Sequence, residues 1–269
     1  MSIVKILSGL VACLVLSLAG ANSACANWIY NANEEFKAFE SGNSGNQTPA
    51  FSNFTVGYSL TLGGFTAFAE TEHTDNWMGR PNAELQGWSV ANNVSVPAAV
   101  VNQSGGSVPF RFAVDPDQIV MHPGGLSSDG YAAPWFNAVL RFTATNAGIY
   151  SIAGDWAALD VNKRITYVLK NGVTLGTSTL HPALDENDPA NLRSDFNFSN
   201  ISLASGDFID FVVNDGGDGI GSDSTGLRAT IIGVADIPAV PEPATLTLFG
   251  LGGIGLAGIA KRRRTRKVA

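Results

Sequence analysis

The chain has 269 residues, 45% hydrophobic and 14% charged, with 30 glycines and 12 prolines, a composition that excludes a disordered tail. With Lys5, Glu242 and the six cations near the C-terminus set aside, nine bases and 22 acids remain between Asn27 and Val240, a formal charge of −13. So acidic a surface repels phosphate backbones, which excludes nucleic acid as a partner of this region.

Lys5 precedes an apolar stretch from Ile6 to Leu18, and small residues close the segment at Ala24-Cys25-Ala26. These are the charged, apolar and A-x-A parts of a secretory signal peptide, with Ala24 and Ala26 marking cleavage before Asn27. A lipoprotein signal acylated at Cys25 is the alternative, but Asn22-Ser23-Ala24 stands where such a signal has a sequence like Leu-Ala-Gly. Both cysteines, Cys13 and Cys25, fall in this segment, so the body is expected to rely on a hydrophobic core and not on disulfides.

The body reads as strands. From Phe54 to Leu62 every second residue is apolar, the pattern of a half-buried strand. Ala138, Leu140 and Phe142 repeat it, and after Asn146-Ala147-Gly148 a strand carries Tyr150, Ile152, Gly154 and Trp156 on one face. Ile165, Tyr167 and Leu169 alternate up to Asn171-Gly172, a two-residue hairpin signal, after which Val173 and Leu175 return. Phe196 to Leu203 and Phe208 to Val213 flank the turn Ser205-Gly206-Asp207, and a last strand runs from Leu227 to Val234. The best helical candidate, Glu34 to Glu40, is short and without a convincing period. Seven or eight strands with long polar loops predict an all-β antiparallel sandwich of jelly-roll type.

Chemistry-bearing motifs are few. His73, His122 and His181 stand 49 and 59 residues apart, which excludes a short-spacing zinc site, and His122 before Pro123 is expected to pack at a loop. No G-x-S-x-G, P-loop or dinucleotide fingerprint occurs, so no catalytic residue is assigned. A glycosidase needs only two carboxylates and is not excluded by motif. The glycine-rich loop from Asn214 to Asp223 holds Asp215, Asp218 and Asp223 as candidate calcium ligands, since calcium takes six to eight hard oxygens on a flexible loop. Its spacing is not that of an EF-hand, and Asp and Gly also build long hairpin turns that bind nothing; both readings stand. Trp156 belongs to the strand pattern, whereas Trp77, Trp88 and Trp135 sit among polar or turn residues, where an exposed indole face is suited to stacking on a sugar ring.

At the far end, Ala244 to Ala260 is an uncharged run of 17 residues, followed by Lys261, Arg262, Arg263, Arg264, Arg266 and Lys267. The run is long enough for a transmembrane helix, and the positive-inside rule leaves its basic end in the cytoplasm. Pro241-Glu242-Pro243 precedes it as a stiff extended stretch suited to a processing enzyme's groove. This order resembles the PEP-CTERM sorting signal over Val240 to Lys267. The resemblance implies a Gram-negative cell, an inner-membrane precursor, an exosortase-type enzyme that removes the tail, and delivery to the surface or exopolysaccharide matrix. A plain single-span anchor is the alternative. The chain is thus divided into a signal peptide (1–26), a β-sandwich (27–237) and a sorting segment (238–269).

Within the body, Val120-Met121-His122-Pro123-Gly124, Val139-Leu140-Arg141-Phe142 ahead of Ala147-Gly148-Ile149-Tyr150, and Gly206 to Val213 with Asp223-Ser224-Thr225 resemble secreted bacterial domains found ahead of PEP-CTERM tails. Those domains are similar to the jelly rolls of carbohydrate-binding modules. The resemblance covers Asn27 to Val234 and implies a fold without specifying a ligand site. The expected role is non-catalytic association with surface or matrix polysaccharide. The alternatives are a structural or protein-interaction module and a polysaccharide hydrolase.

Overall fold

The computed structural model describes residues 27–41, 47–75, 77–79, 84–90, 96–125 and 134–235. The expected signal peptide, sorting segment and membrane helix lie outside these residues. Among the described residues no helix is long and apolar enough to cross a membrane.

The first sheet comprises β1 (Asn27–Asn31), β5 (His73–Thr74), β6 (Leu85–Ser89), β7 (Ala98–Asn102), β8 (Ile119–His122), β11 (Gly148–Ala158), β14 (Arg193–Leu203) and β16 (Thr225–Ala235). The second comprises β2 (Ala50–Phe51), β3 (Phe54–Ser59), β4 (Thr66–Ala67), β9 (Gly124–Gly125), β10 (Trp135–Thr143), β12 (Arg164–Lys170), β13 (Val173–Leu180) and β15 (Phe208–Asn214). Their spatial orders are β14-β11-β16-β8-β7-β6-β5, with β1 beside β16, and β13-β12-β15-β10-β3-β2, with β4 on β3 and β9 on β10.

Taken from β8 and omitting the short β9, the chain supplies eight strands. The first sheet holds the first, eighth, third and sixth, as β8-β16-β11-β14; the second holds the second, seventh, fourth and fifth, as β10-β15-β12-β13. That is the strand order of a jelly roll, two interlocked Greek keys. Residues 27–102 add strands to the free sides of both sheets, so sixteen strands are described where seven or eight were expected.

The main core lies between the sheets. Trp156, Tyr150, Phe142, Phe211 and Leu140 fill it, each from an inward position of an alternating strand. A second core, with Trp77, Leu85, Val100, Val114 and Val120, covers the opposite face of the first sheet. All five residues of β7 are therefore buried: Ala99 and Val101 face one core, Ala98 and Val100 the other.

The short helical candidate is a ten-residue helix, α1 (Ala32–Ser41). The Asn31 side chain accepts hydrogen bonds from the backbone N–H groups of Asn33 and Glu34, each at 3.2 Å, and Glu34 and Glu35 complement the positive end of the helix dipole. Ala32, Phe36 and Glu40, four residues apart, form its buried stripe, and Phe36 stacks on Phe51 at 4.5 Å.

Candidate functional site

Two of the three tryptophans expected to expose an indole face are buried. Trp77, in a 3-10 turn (Trp77–Gly79), is fully covered, with its ring stacked on Phe110 at 6.3 Å and edge-on to His122 at 6.4 Å. Trp88, on β6, is enclosed by Phe36, Phe39 and His73 at 5.2–6.0 Å. Neither offers a face to a sugar, and that expectation is corrected: helix α1 and the segment around Phe110, distant in sequence, cover them. Trp135 opens β10 and is 41% exposed. His122 is buried with Nδ1 2.6 Å from the Pro123 carbonyl oxygen, and burial pushes its imidazole down to about 4, which keeps it neutral.

The Asn214 to Asp223 loop is docked on the turn between β11 and β12. Asp218 accepts the backbone N–H of Lys163 at 3.2 Å, Asp215 accepts that of Gly217 at 3.3 Å, and the Asn162 side-chain amide donates to the Gly221 carbonyl. Asp223 is fully buried, with no hydrogen-bond partner for either carboxylate oxygen. Burial pushes its carboxyl up to about 8; the nearby Arg164 charge acts against this, and Asp218, Asp215 and Asp160 add to it. Arg164, itself buried, is pushed down to about 10 and has its guanidinium on the Asp160 carbonyl at 2.9 and 3.2 Å. Two of the carboxylates thus fix turns while the third is buried beside a cation. Among the described residues no group of three or more His, Cys, Asp or Glu is placed to hold a metal ion, so the expected calcium cage is not assembled.

An unanticipated site lies where the sandwich is open at its side. Strand β13 ends the second sheet and β14 ends the first, and a groove of about 210 Å³ runs between them. Trp156 and Val168 form its floor; Gly176, Thr177, Ser178, Asp195, Phe196, Asn197 and Phe198 form its walls. The volume is below the ~300–1,000 Å³ of pockets for drug-sized ligands, nearer the scale of a single ring. The Phe196 and Phe198 rings are stacked at 6.3 Å and 17°, and Phe196 packs on Trp156 at 5.9 Å. Gly176 makes this possible, because a Cβ there would fall 2.6 Å from the Phe198 ring. The Ser178 and Ser194 hydroxyls, 2.8 Å apart, tie the two strands together. Alternation then places Asp195 and Asn197 outward on β14, and with Thr177 they are exposed and have no side-chain hydrogen-bond or ion-pair partner among the described residues. An aromatic wall with the Ser178 hydroxyl beside it suits a ligand with one apolar and one hydroxylated face. The sequence signal was the alternation Asp195-Phe196-Asn197-Phe198; that both strands end their sheets is a tertiary fact.

Comparison with known proteins adds the export signal. Residues 239–264 match the PEP-CTERM protein-sorting motif, which spans Pro241-Glu242-Pro243 and implies an exported protein. No curated protein sequence matches the chain. Among solved structures, the CBM51 domain from Clostridium perfringens GH95 in complex with methyl-galactose is 13% identical, with a TM-score of 0.29 over 49% of this chain and 78% of that one. CBM51-2 in complex with GlcNAc, with INT domains of Clostridium perfringens ZmpB, is 11% identical, with a TM-score of 0.34 over 53% and 29%. A CBM36 module in complex with calcium and xylotriose is 16% identical, with a TM-score of 0.24 over 43% and 78%. At these scores the likenesses carry no argument about a ligand. The described residues define a jelly-roll β-sandwich by their own strand order, in a chain that carries a PEP-CTERM sorting motif.

Proposed function

We propose that this is an exported, non-catalytic protein of the cell surface or extracellular matrix whose sandwich associates with polysaccharide. The observation that carries the proposal is the β13–β14 groove, with the stacked Phe196 and Phe198 rings on its wall, Trp156 beneath them and the Ser178 hydroxyl beside them. Trp135 is a second stacking platform in this reading. Signal cleavage after Ala26, a sorting segment from residue 238 recognised by an exosortase-type enzyme, and a membrane-held precursor in a Gram-negative cell complete the proposal.

One observation favours a protein-interaction role instead. Ile29, Ile149 and Ile232 are exposed on β1, β11 and β16, with Ile29 directly opposite Ile232 and Ile149 opposite Val234. A glycan array probed with the full chain, then assayed for cleavage of the same glycans, separates the readings. Retention without cleavage is expected. Cleavage would establish a hydrolase, and retention of a protein partner with no glycan bound would establish the interaction module.

A further inference from the structure

This inference rests on the reading of the chain as a membrane-held precursor. We propose that the exposed isoleucine face of β1, β11 and β16 is a lipid-docking surface, which lies against the bilayer holding the sorting segment until that segment is removed.

Strand pairing builds the face. Ile29 lies opposite Ile232, and Ile149 opposite Val234, so four branched apolar side chains from three adjacent strands share one outward surface. Ile29 is 68% exposed, Ile232 41% and Ile149 37%, whereas the alternate residues Tyr150 and Ile231 are fully buried. Ser151, Ala153 and Thr230 continue the face without charge, and the first ion pair along the β11–β16 ladder comes only at Asp155 and Arg228. On a body of formal charge −13, the paired stretches Asn27 to Asn31, Ile149 to Ala153 and Thr230 to Val234 thus carry no charged side chain.

What covers the face follows from where the chain enters and leaves it. Asn27 opens β1 opposite Val234, and β16 ends at Ala235, so entry and exit lie together at one end of the patch. Only Asp236 to Pro243, eight residues, separate Ala235 from the uncharged run that begins at Ala244. Eight more, Ala19 to Ala26, separate the apolar stretch ending at Leu18 from Asn27. Fully extended, either link spans about 30 Å, so a chain held in a bilayer keeps the face within that distance of lipid. Three isoleucines partition weakly by themselves. A short tether raises their effective concentration at the bilayer and makes the contact persist, and cutting the tether releases it. With no cation in these stretches the contact is apolar: it needs no anionic lipid, and the acidic body disfavours one.

The test uses the full chain with Cys13→Ser and Cys25→Ser, reconstituted in phosphatidylcholine vesicles that contain a nitroxide-labelled lipid. One fluorophore is carried at Ser151→Cys on the face or at Leu184→Cys in the exposed loop after β13. Quenching at position 151 should exceed that at 184 by about threefold, as expected for a group at the headgroup boundary, and should persist in high salt. Adding phosphatidylglycerol should lower it. Ile29→Thr with Ile232→Thr, exposed changes that keep the β-branch, should bring position 151 down to the level of 184. Equal quenching at both positions, or quenching unchanged in the threonine variant, would overturn the proposal and leave the membrane-held precursor standing. A label at 151 shielded from aqueous iodide yet untouched by the lipid nitroxide would overturn it in favour of a second copy or another protein on the face. A full chain that does not enter the vesicles would overturn the membrane-held reading as well.

Discussion

At the residue scale, Asp223 and His122 give the molecule a pH dependence of defined sign. The folded Asp223 carboxyl titrates near 8 against an ordinary 3.8, so between those values the native state holds a proton that the unfolded chain has released. The stability this contributes is complete below the unfolded value and is lost as pH rises through about 8. His122 acts oppositely: its folded value of about 4 lies below the ordinary 6.5, so its contribution is present above 6.5 and lost as pH falls. Between 6.5 and 8 only Asp223 of the pair acts. Over that window stability should fall by up to about 2 kcal/mol, one proton across one and a half pH units. Urea melts at several pH values measure this, and Asp223→Asn should flatten the profile. The tryptophans make a second residue-scale prediction: Trp88→Ala should cost about 3–5 kcal/mol as a core truncation, and Trp135→Ala under about 1 kcal/mol. Equal losses would contradict the packing described. Polar neighbours in sequence misrepresent Trp77 and Trp88 because their covering residues come from other segments: Phe110 for the one, Phe36 and Phe39 for the other.

At the element scale, legibility followed exposure. Strands with one wet face, such as β11 and β12, show period-two alternation and were readable almost to their ends. β7 and β8, buried on both faces, read as unbroken apolar runs and gave no such signal. Helix α1 did carry one: Asn31-Ala32-Asn33-Glu34 has a capping residue followed three positions later by glutamate. The predicted Asn171-Gly172 turn is present between β12 and β13, with φ of 48° and 79° at its two residues. Both lie in the left-handed region, so Gly172→Val should cost about 1–2 kcal/mol, read as a lowered thermal midpoint. An unchanged midpoint would mean the turn does not constrain the hairpin. The candidate groove was not legible, because it needs β13 and β14 to end different sheets on the same side of the sandwich.

At the scale of the whole molecule, a jelly roll between Ile119 and Ala235 is enlarged by earlier strands, and the compact unit that contains it closes at Ala235. Residues 27–235 expressed alone should therefore unfold cooperatively, with a circular dichroism spectrum dominated by strand; a strongly helical spectrum would contradict the fold. Intact-mass analysis of the protein from its host should show a chain beginning at Asn27 and lacking Lys261 to Lys267. Retention of those cations in an exported chain would leave only a plain anchor. The central claim, polysaccharide association through the β13–β14 groove, is tested most directly by co-sedimentation of the exported protein with the host's own matrix polysaccharide. The account predicts that the native chain sediments with the polymer and that Phe198→Ala, equally folded, stays largely in solution. A native chain that remains in the supernatant, or a variant that sediments equally well, would contradict it.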